Sequence, residues 1–491
     1  MSANEARYKG FSHVPVELGP EFIHGEKENL LLDYLNKHGV AGKPNATTMQ
    51  LKWPNYFYFG KEGKLVNGKD SEEDKELTRM LDTFEMTGEM DADLIPDESL
   101  LQYMARMGTS SRLIDMADAI FANDYGNEAS KIGLKEVVHE QDSWKYGEDY
   151  LVLDGCSFSD IVNDMAKGLD VRTSWKAKEV LHSGPCGRCR VVRDNGDSIQ
   201  ADRIIITVPL NILRDGDILF KPPLPADKVQ AAAVVQQSNC VKVILRLKEV
   251  FWPADCWDVV CSDSLIPEIW LTPAAQVLKG IPMKEYYMVG FVAGERATRL
   301  AALPADELAR KMCLQLDAIF GSAQNPTPCS KACTGFLVQD WSKEPLAKGA
   351  YSHPSLGAYG KRDALRYDSR SYDSRSLLPV CQASFDASAS AMPPGMSIMV
   401  GLFCLYQVSF DTGACLSTPV GQLYFAGEAT QEGINPCVHG GIDPCVHAFP
   451  FPLSAPTLLV AQLDDCWRCV QSRECVAVCE RYSIHPRLPM R

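Results

Sequence analysis

The stretch 423–442, LYFAGEATQEGINPCVHGGI, combines residue types that could hold a nucleotide. An apolar, strand-like run leads into Gly427 and Glu428, and the Val-His-Gly at 438–440 could open a helix. A carboxylate that follows a buried strand is costly unless a partner satisfies it. Backbone N–H groups at a helix start favour electron-rich oxygens. The stretch therefore predicts contacts with the sugar and phosphate parts of a nucleotide cofactor.

Such a site needs a scaffold of strands and helices, and the chain contains the corresponding patterns. Residues 70–133 predict acidic amphipathic helices, because Leu and Met recur there at three- and four-residue spacing. The charges in this range indicate the solvated faces of those helices. Residues 150–181 predict a strand, a glycine turn, a helix from Ser157 to Gly168 and a strand that enters a hairpin.

Two further strands and one irregular stretch complete this pattern. The run ADRIIITVPL at 201–210 is typical of a strand buried in a parallel sheet. Residues 239–252 alternate in places and predict another strand. Residues 351–423 contain a tandem YDSRSYDSRS and predict an irregular insertion. Together these elements indicate an α/β fold class.

The composition is that of an ordinary globular protein, with 46% hydrophobic and 23% charged residues among 491. The formal net charge of -14 argues against nucleic-acid and anionic-membrane partners and favours cationic ligands. Residues 1–14 hold no apolar run, so we expect no signal peptide and no membrane anchor. No stretch is apolar enough to span a membrane. The 18 scattered cysteines suit a reducing compartment, and we expect a cytoplasmic protein.

Two groups of cysteines could carry redox or metal chemistry. Cys186 and Cys189 form a C-x-x-C at an apparent hairpin turn, where incidental thiols are the simpler interpretation. A second group near the end of the chain could chelate zinc: Cys466, Cys469, Cys475 and Cys479. Its middle spacer of five residues is shorter than the spacers of usual zinc modules. The sequence therefore predicts no metal site.

Six blocks of sequence, in the same order, resemble the FAD-dependent amine oxidases and within them the polyamine oxidase and spermine oxidase branch. The blocks are VELGPEFIHG (16–25), YLVLDG…LDV (150–171), ADRIIITVPLNIL…FKPPLP (201–225), KVILRLKEVFW (242–252), DWSKEPLAKGAYS (340–352) and LYFAGEAT…VHG (423–440). The resemblance implies a Rossmann-like FAD-binding domain interleaved with a substrate domain of mixed sheet and helices. The G-x-G-x-x-G motif that receives the pyrophosphate in this family occurs nowhere in the chain. We therefore expect the Rossmann-like domain to be incomplete at its N-terminus.

The resemblance also implies where the domains lie. The FAD-binding domain is expected at 1–50, 145–210 and 420–447, and the substrate domain at 51–144 and 211–358. An irregular insertion is expected at 359–419 and a divergent tail at 448–491.

Carried over residue by residue, the resemblance implies one set of residues that bind the cofactor. Glu428 matches the glutamate that bonds the ribityl or phosphate region, and Ala177 matches a backbone contact to adenine. The full set of implied cofactor contacts is Gly19, Ala177, Trp341, Gly427, Glu428, Val438, His439 and Gly440.

A second set is implied for catalysis and substrate binding. Lys242 matches the lysine that holds a water against the reactive nitrogen of the flavin, and His24 matches a histidine of the polyamine oxidase branch. Glu21, His24 and Tyr351 are implied substrate contacts, with Tyr351 and Trp341 as aromatic walls for an amine. Each position also has a structural interpretation, because a lone lysine in a strand usually faces solvent and aromatic side chains usually fill a core.

The implied activity is oxidation of the C–N bond of amines, with polyamines as the expected substrates. Dioxygen would accept the electrons and become hydrogen peroxide, and an imine would be hydrolysed to an aldehyde. The alternative is a cofactor-deficient or non-catalytic relative that acts only as a binding or scaffold protein. A histone-demethylase-like role is a further alternative.

Overall fold

The computed structural model describes residues 16–167, 171–182, 188–201, 203–366, 423–425, 429, 457–461 and 475–478. For residues 203, 366, 424, 457–461 and 475–478 the backbone alone is described.

The strands are β1 (Phe22–His24), β2 (Thr47–Leu51), β3 (Tyr56–Phe59), β4 (Lys64–Asn67), β5 (Tyr150–Asp154), β6 (Val171–Arg172), β7 (Ala177–Leu181), β8 (Cys189–Arg193), β9 (Ser198–Ala201), β10 (Arg203–Thr207), β11 (Leu219–Lys221), β12 (Gln236–Gln237), β13 (Cys240–Leu247), β14 (Asp258–Ser262), β15 (Glu268–Thr272), β16 (Tyr286–Ala293), β17 (Cys333–Asp340), β18 (Ser352–His353), β19 (Leu423–Phe425), β20 (Thr457–Ala461) and β21 (Cys475–Val478). The helices are α1 (Leu30–His38), α2 (Lys75–Glu85), α3 (Leu100–Arg106), α4 (Ile114–Ala117), α5 (Leu134–Ser143), α6 (Phe158–Met165), α7 (Leu210–Arg214), α8 (Ala226–Val234), α9 (Ala274–Leu278), α10 (Gly294–Ala301), α11 (Ala305–Phe320), α12 (Pro328–Ala332) and α13 (Arg362–Arg366). Short 3₁₀ turns lie at Gly68–Glu73, Met86–Glu89 and Trp341–Lys343, and a π-turn lies at Asp118–Ala122.

A five-stranded sheet, in the order β19-β10-β20-β21-β6, is parallel throughout. Strand β10 lies between two neighbours, and Ile204, Ile205 and Ile206 are at most 1% exposed. This confirms the predicted buried parallel strand. Strands β20 and β21 come from the predicted divergent tail and add two strands to this sheet. The domain boundaries themselves stay a prediction.

The largest sheet is mixed and has seven strands, in the order β17-β13-β16-β15-β14-β3-β4. Its long strand β13 confirms the strand predicted at 239–252, and it pairs antiparallel with β16 and β17. Successive side chains of a strand face opposite sides of the sheet. Val241, Val243 and Leu245 therefore pack with α10, α11 and α12 on one face. Lys242 and Ile244 face the other side, where Ile244 is fully buried.

A three-stranded antiparallel sheet, in the order β1-β5-β2, covers that second face. Val152 of β5 and Leu51 of β2 pack in one apolar cluster with Ile244, Trp270 and Tyr287 of the large sheet. This packing brings the chain around 16–25 next to β13, far away in sequence. The predicted site residues of these two segments therefore lie between the two sheets.

Helices α2 to α5 form the helical part predicted at 70–133 and extend it to Ser143. Their apolar sides pack on Phe57 and Phe59 of β3 and on Val260 of β14. Helix α6 begins after Ser157, whose side chain forms a capping box with Asp160, as the Ser/Asp pattern predicted. Among the described residues, no helix has the length and apolarity that crossing a membrane requires.

Two sequence interpretations need adjustment here. The sequence VPVELGPEFIHG at 14–25 predicts a strand that enters a Gly/Pro turn, but residues 16–20 form no strand and β1 begins after that turn. Helix α13 and strand β18 lie within the stretch 351–423 that the sequence predicted to be irregular. Helix α13 packs against α8, because Leu365 shares a buried cluster with Ala231 and Ala232.

Gly25, which directly follows His24, is expected to tolerate no side chain. Its φ is 82°, and a Cβ there would lie 2.3 Å from the carbonyl oxygen of Tyr146. We expect Gly25→Ala to lower the free energy of unfolding by about 2–3 kcal/mol through strain and collision together. Gly42 has φ 85°, and a Cβ there would have no atom within 4 Å. Gly42→Ala therefore tests the backbone strain without a collision, and it should lower the free energy of unfolding by about 1 kcal/mol. Denaturant unfolding measures the free energy of unfolding of both variants. Equal losses in the two variants would contradict a contribution from the collision with Tyr146.

Candidate active site

Lys242 lies at the centre of the site and is 4% exposed. Its Nζ donates hydrogen bonds to the carbonyl oxygens of Glu17 at 3.2 Å and Gly19 at 2.9 Å, and to Oε2 of Glu21 at 3.2 Å. An ammonium has three N–H donors, so these protein acceptors satisfy all three. The ammonium also lies 5.0 Å from the centroid of the Trp270 ring, within cation–π range. Lys242 is therefore a buried, fully bonded cation rather than a solvent-facing lysine.

Glu21 is the charged partner of Lys242. Its Oε2 also accepts a hydrogen bond from Nε1 of Trp270 at 2.8 Å, and its side chain is 8% exposed. Buried ion pairs persist when further hydrogen bonds satisfy the remaining polar groups, as happens here. The resemblance implies that Lys242 holds a water and that Glu21 contacts substrate. Both roles stay predictions, and a water at Lys242 requires that one of its three bonds be shared or replaced.

Trp341 and Gly19 meet beside Lys242. Nε1 of Trp341 donates to the carbonyl oxygen of Leu18 at 2.9 Å. A Cβ on Gly19 would lie 3.2 Å from the Trp341 ring, so the glycine leaves room for the indole. The carboxylate of Asp340 accepts from the backbone N–H of Ser342 and caps the turn that carries Trp341. The fold thus brings together two residues that the sequence predicted separately as cofactor contacts.

His24 lies at the end of β1, opposite Tyr150 of β5. The two ring centroids are 4.7 Å apart in an edge-to-face arrangement. Burial lowers the pKa of His24 to about 4, so the imidazole is neutral near pH 7. A neutral imidazole can donate or accept a hydrogen bond but carries no positive charge. A role of His24 toward an amine is therefore a hydrogen-bonding role.

His24, Tyr150 and Asp124 are neighbours: the rings of His24 and Tyr150 are in contact, and the hydroxyl of Tyr150 bonds Asp124. Loss of hydration is the main cause of the pKa shifts of His24, Asp124 and Tyr150, yet each keeps some exposed surface. Trp341 and Tyr351 are half-buried and pack in the same apolar cluster as Tyr150. Aromatic rings therefore pack around Tyr150, whose hydroxyl bonds the carboxyl group of Asp124.

Asp124 and Glu268 place two carboxyl groups at this site. Tyr150 donates its hydroxyl to Oδ2 of Asp124 at 3.3 Å, and Tyr351 donates to the carbonyl oxygen of Asp124 at 2.7 Å. Nδ2 of Asn123 donates to Oε2 of Glu268 at 3.2 Å. The π-turn just before Asn123 is of the kind that often marks functional positions in helices.

Both carboxyl groups hold their protons more firmly than usual. Burial raises the pKa of Asp124 to about 6, and burial together with the charge of Asp124 raises the pKa of Glu268 well above its usual range. No lysine, arginine or histidine of the described segments forms an ion pair with either group. The interpretation that charges within 70–133 lie on solvated helix faces is therefore wrong for Asp124.

The described residues fit a nucleotide cofactor at the parallel sheet. Thr207 ends β10 and is 1% exposed, and its Oγ1 has no hydrogen-bond partner among the described residues. Ligands of parallel α/β sheets bind outside the carboxyl ends of the strands, which is where this orphaned hydroxyl lies. Ala177 begins β7 and packs against the same cluster as Ile206. An unpartnered hydroxyl in this place suits the polar part of such a cofactor.

The remaining predicted cofactor residues cannot be placed. Gly427, Glu428, Val438, His439 and Gly440 lie outside the described residues. So do Cys186 of the C-x-x-C and Cys466, Cys469 and Cys479 of the second cysteine group, while Cys475 is described only through the backbone of β21. Among the described residues, no group of three His, Cys, Asp or Glu side chains is placed to hold a metal ion.

Sequence reasoning missed several residues of the site, among them Glu17, Asp124, Thr207, Glu268 and Trp270. Glu17 and Thr207 lie inside blocks that carry the resemblance, so position within a block was the available indication. Asp124 and Trp270 lie outside the blocks, and their roles depend on partners that are distant in sequence.

The unpartnered hydroxyl at the end of β10 in the parallel sheet, and the buried Lys242 next to the Trp270 ring in the mixed sheet, fit a flavin-dependent oxidoreductase. The chain belongs to the flavin containing amine oxidoreductase family, whose model matches residues 5–384. FAD is therefore its cofactor, and amine oxidation its class of reaction.

Relatives and a solved structure agree with this assignment. The chain is 24% identical over 363 residues to Polyamine oxidase 2 of Arabidopsis thaliana, covering 70% of this chain and 69% of that protein. It is 26% identical over 238 residues to the Peroxisomal N(1)-acetyl-spermine/spermidine oxidase of Bos taurus, covering 44% of each.

The fold is similar to that of Cyclohexylamine Oxidase from Brevibacterium oxydans, with a TM-score of 0.64 at 16% identity, covering 90% of this chain and 87% of that one. These findings confirm the predicted fold class. They give no support to the alternative of a non-catalytic scaffold protein.

Proposed function

We propose that this protein oxidises the C–N bond of a polyamine, yielding an imine that water hydrolyses to an aldehyde and a smaller amine, while dioxygen becomes hydrogen peroxide. Bound FAD supplies the transfer of electrons. Relatives named for polyamine and N1-acetyl-spermine/spermidine oxidation support this class of substrate. The net charge of -14 favours a polycation. The eight cysteines whose side chains are described are free thiols, which suits the cytoplasm as the place of action.

In this proposal each side chain of the site has a role that its surroundings permit. Lys242 orients the water that attacks the imine, with one of its N–H groups shared between that water and a protein acceptor. Trp341 and Tyr351 form the aromatic wall against which the amine lies. His24, neutral near pH 7, exchanges a hydrogen bond with the substrate nitrogen.

Gly19 and Trp341 would hold the flavin end of the cofactor, and Ala177 and Thr207 would hold its nucleotide end. Beyond the described residues, the proposed cofactor contacts are Gly427, Glu428, Val438, His439 and Gly440.

The observation that carries the substrate class is Asp124, which lies near Glu268 and whose pKa of about 6 leaves it largely ionised at pH 7. A buried carboxylate without a cation is unfavourable, and an ammonium group compensates it. The described part of the chain supplies no such cation to either group. A monoamine has one nitrogen, and that nitrogen must lie at the reacting position. A polyamine carries a second ammonium, which can pair with Asp124 while another nitrogen is oxidised.

Asp124→Asn is expected to raise the KM for spermine by about 10- to 100-fold, because a hydrogen bond between charged groups contributes about 1.5–3 kcal/mol. Cyclohexylamine, with a single nitrogen, should show little change in KM. In the unaltered protein the KM for spermine should rise below about pH 6, where Asp124 takes up a proton, and the variant should lack this rise. Initial rates over a pH series measure these quantities.

The control for this test is Asp82→Asn, which removes a carboxylate from the exposed side of α2. It should leave the KM of both substrates unchanged. An Asp124→Asn variant that weakened both amines equally, or neither, would refute the role of Asp124 in recognising a second ammonium.

A further inference from the structure

Gln237 has a buried side chain to which the proposed function assigns no role. It is 5% exposed and forms the short strand β12 with Gln236. Its Nε2 donates to the carbonyl oxygens of Ala347 at 3.2 Å and Ala350 at 2.7 Å, and its Oε1 accepts from the backbone N–H of Asn211 at 2.9 Å. An amide turned the other way would direct its oxygen at two carbonyl oxygens, so these partners fix its orientation.

These bonds hold the chain on both sides of Tyr351. Before Tyr351, Nε2 of Gln237 bonds the carbonyl oxygen of Ala350. The backbone N–H of Ala350 in turn donates to the carbonyl oxygen of Ser238 at 2.8 Å. After Tyr351, Ser352 of β18 pairs antiparallel with Gln237 itself. The segment 237–238 therefore determines where the backbone of Tyr351 lies.

Asn211 supports Gln237 from the side of the parallel sheet. It lies in helix α7, which follows β10, and it is 3% exposed. Its Nδ2 donates to the backbone carbonyl oxygens of Gln237 at 3.3 Å and Lys348 at 2.7 Å. Strand β13, which carries Lys242, begins shortly after Gln237. The backbone of Tyr351 is thus tied both to the parallel sheet and to the strand of Lys242.

We propose that Gln237 is a positioning residue of the aromatic wall, which fixes the place of the Tyr351 ring beside the reacting amine. The inference rests on the proposed function, in which Tyr351 is a wall for the substrate. The Tyr351 hydroxyl bonds the carbonyl oxygen of Asp124 at 2.7 Å, so the far end of this side chain has its own anchor. Gln237 fixes the backbone end and acts on the substrate only through Tyr351. Loss of the Gln237 bonds should therefore weaken amine binding rather than slow the chemical step.

The first test follows Tyr351 in purified protein without substrate, by fluorine-19 NMR of fluorotyrosine-labelled protein. The resonance that Tyr351→Phe removes belongs to Tyr351. Gln237→Met should shift or broaden this resonance, because methionine keeps the length of the side chain but offers no N–H donor. Gln236→Met is the matched control, since Gln236 is the exposed neighbour on β12, and it should leave the resonance unchanged. An unchanged resonance in Gln237→Met would overturn the proposal.

The second test measures turnover with spermine in the FAD-loaded protein. Gln237→Met should raise KM about 3- to 30-fold, as expected for a weakened aromatic contact with an amine, and should change kcat less than about two-fold. In a Tyr351→Leu background the same change should raise KM no further, because Gln237 acts through the Tyr351 ring. Additive increases in KM, or a fall in kcat with KM unchanged, would contradict a role through Tyr351.

A second variant separates the lost bonds from a general loss of folding. Gln237→Glu keeps the acceptor for the Asn211 N–H but replaces the donor to Ala347 and Ala350 by an oxygen. It should raise KM as Gln237→Met does. Because KM does not depend on the concentration of folded protein, partial unfolding of either variant cannot imitate this result.

The outcomes separate the two proposals. If the unaltered protein oxidises no amine, the proposed function fails, and the fluorine-19 spectra alone decide whether Gln237 positions Tyr351. If the unaltered protein oxidises spermine while Gln237→Met and Gln237→Glu keep its KM, the function stands and the positioning role is overturned.

Discussion

Replacing Lys242 by methionine is expected to lower kcat for amine oxidation by about 10²- to 10³-fold, the loss typical of one preorganised donor in an enclosed site. The ammonium is 4% exposed and is fixed by three protein acceptors, so no solvent cation can take its place. Methionine keeps much of the side-chain volume and removes the charge. Single-turnover and steady-state rates with spermine measure the loss.

The same change also affects stability, and the two effects must be separated. Lys242→Met leaves the Glu21 carboxylate buried with only the Trp270 N–H, and breaking a buried ion pair costs about 3–5 kcal/mol. Adding Glu21→Gln removes the stranded charge. We expect the double variant to regain most of the stability in urea unfolding and none of the lost kcat.

Arg246→Met is the matched control, because Arg246 lies on the same strand and the same face as Lys242 but bonds Thr334 near the end of the sheet. It should change kcat less than about two-fold. A Lys242→Met protein with normal turnover, or a double variant that regains turnover, would contradict the catalytic role of the ammonium.

Replacing Arg362 by methionine is expected to lower the free energy of unfolding by about 3–5 kcal/mol, because it breaks a buried ionic network. Arg362 is 4% exposed. Its Nε donates to Oε1 of Glu136 at 3.2 Å, Nη1 to Oγ of Ser352 at 2.7 Å and Nη2 to the carbonyl oxygen of His353 at 2.8 Å. Oε2 of Glu136 accepts from the backbone N–H of Ser355 at 2.7 Å. The network therefore ties helix α13 and the segment 352–355 to helix α5.

Arg362→Lys tests the geometry of this network. A lysine keeps the charge but cannot present three donors in the planar arrangement of a guanidinium, so it should recover less than half of the lost stability. Arg106→Met is the control, since Arg106 is a 53% exposed partner of Glu98 and exposed pairs contribute at most about 1 kcal/mol. Urea unfolding compares the three variants. A loss for Arg362→Met no larger than that of Arg106→Met would refute the importance of the network.

This network also bears on the site, because Tyr351 directly precedes the anchored segment. The hydroxyl of Tyr351 reaches the carbonyl oxygen of Asp124 only while that segment is held in place. A partly folded Arg362→Met protein should therefore lose polyamine binding before it loses its helices.

The sequence by itself determined the local elements and the family. The capping box at Ser157, the β-branched run of β10 and the apolar β13 are encoded by neighbouring residues, since capping and side-chain periodicity act over a few positions. The six blocks likewise identified amine oxidation and FAD, because residue types at matching positions carry family membership without any coordinates.

Only the tertiary structure decided which side chains meet. Lys242 pairs with Glu21 across 221 positions, and burial raises the pKa of Glu17, whose Oε1 accepts from the N–H of Phe158, 141 positions away. The sequence around Asp124 is typical of a solvated helix face. In the structure, however, Asp124 follows the π-turn and lies among aromatic rings. Burial and hydrogen bonding in three dimensions set the charge of such groups. The spacing of residues along the chain does not specify this burial and hydrogen bonding, because the partners come together only when separate sheets pack face to face.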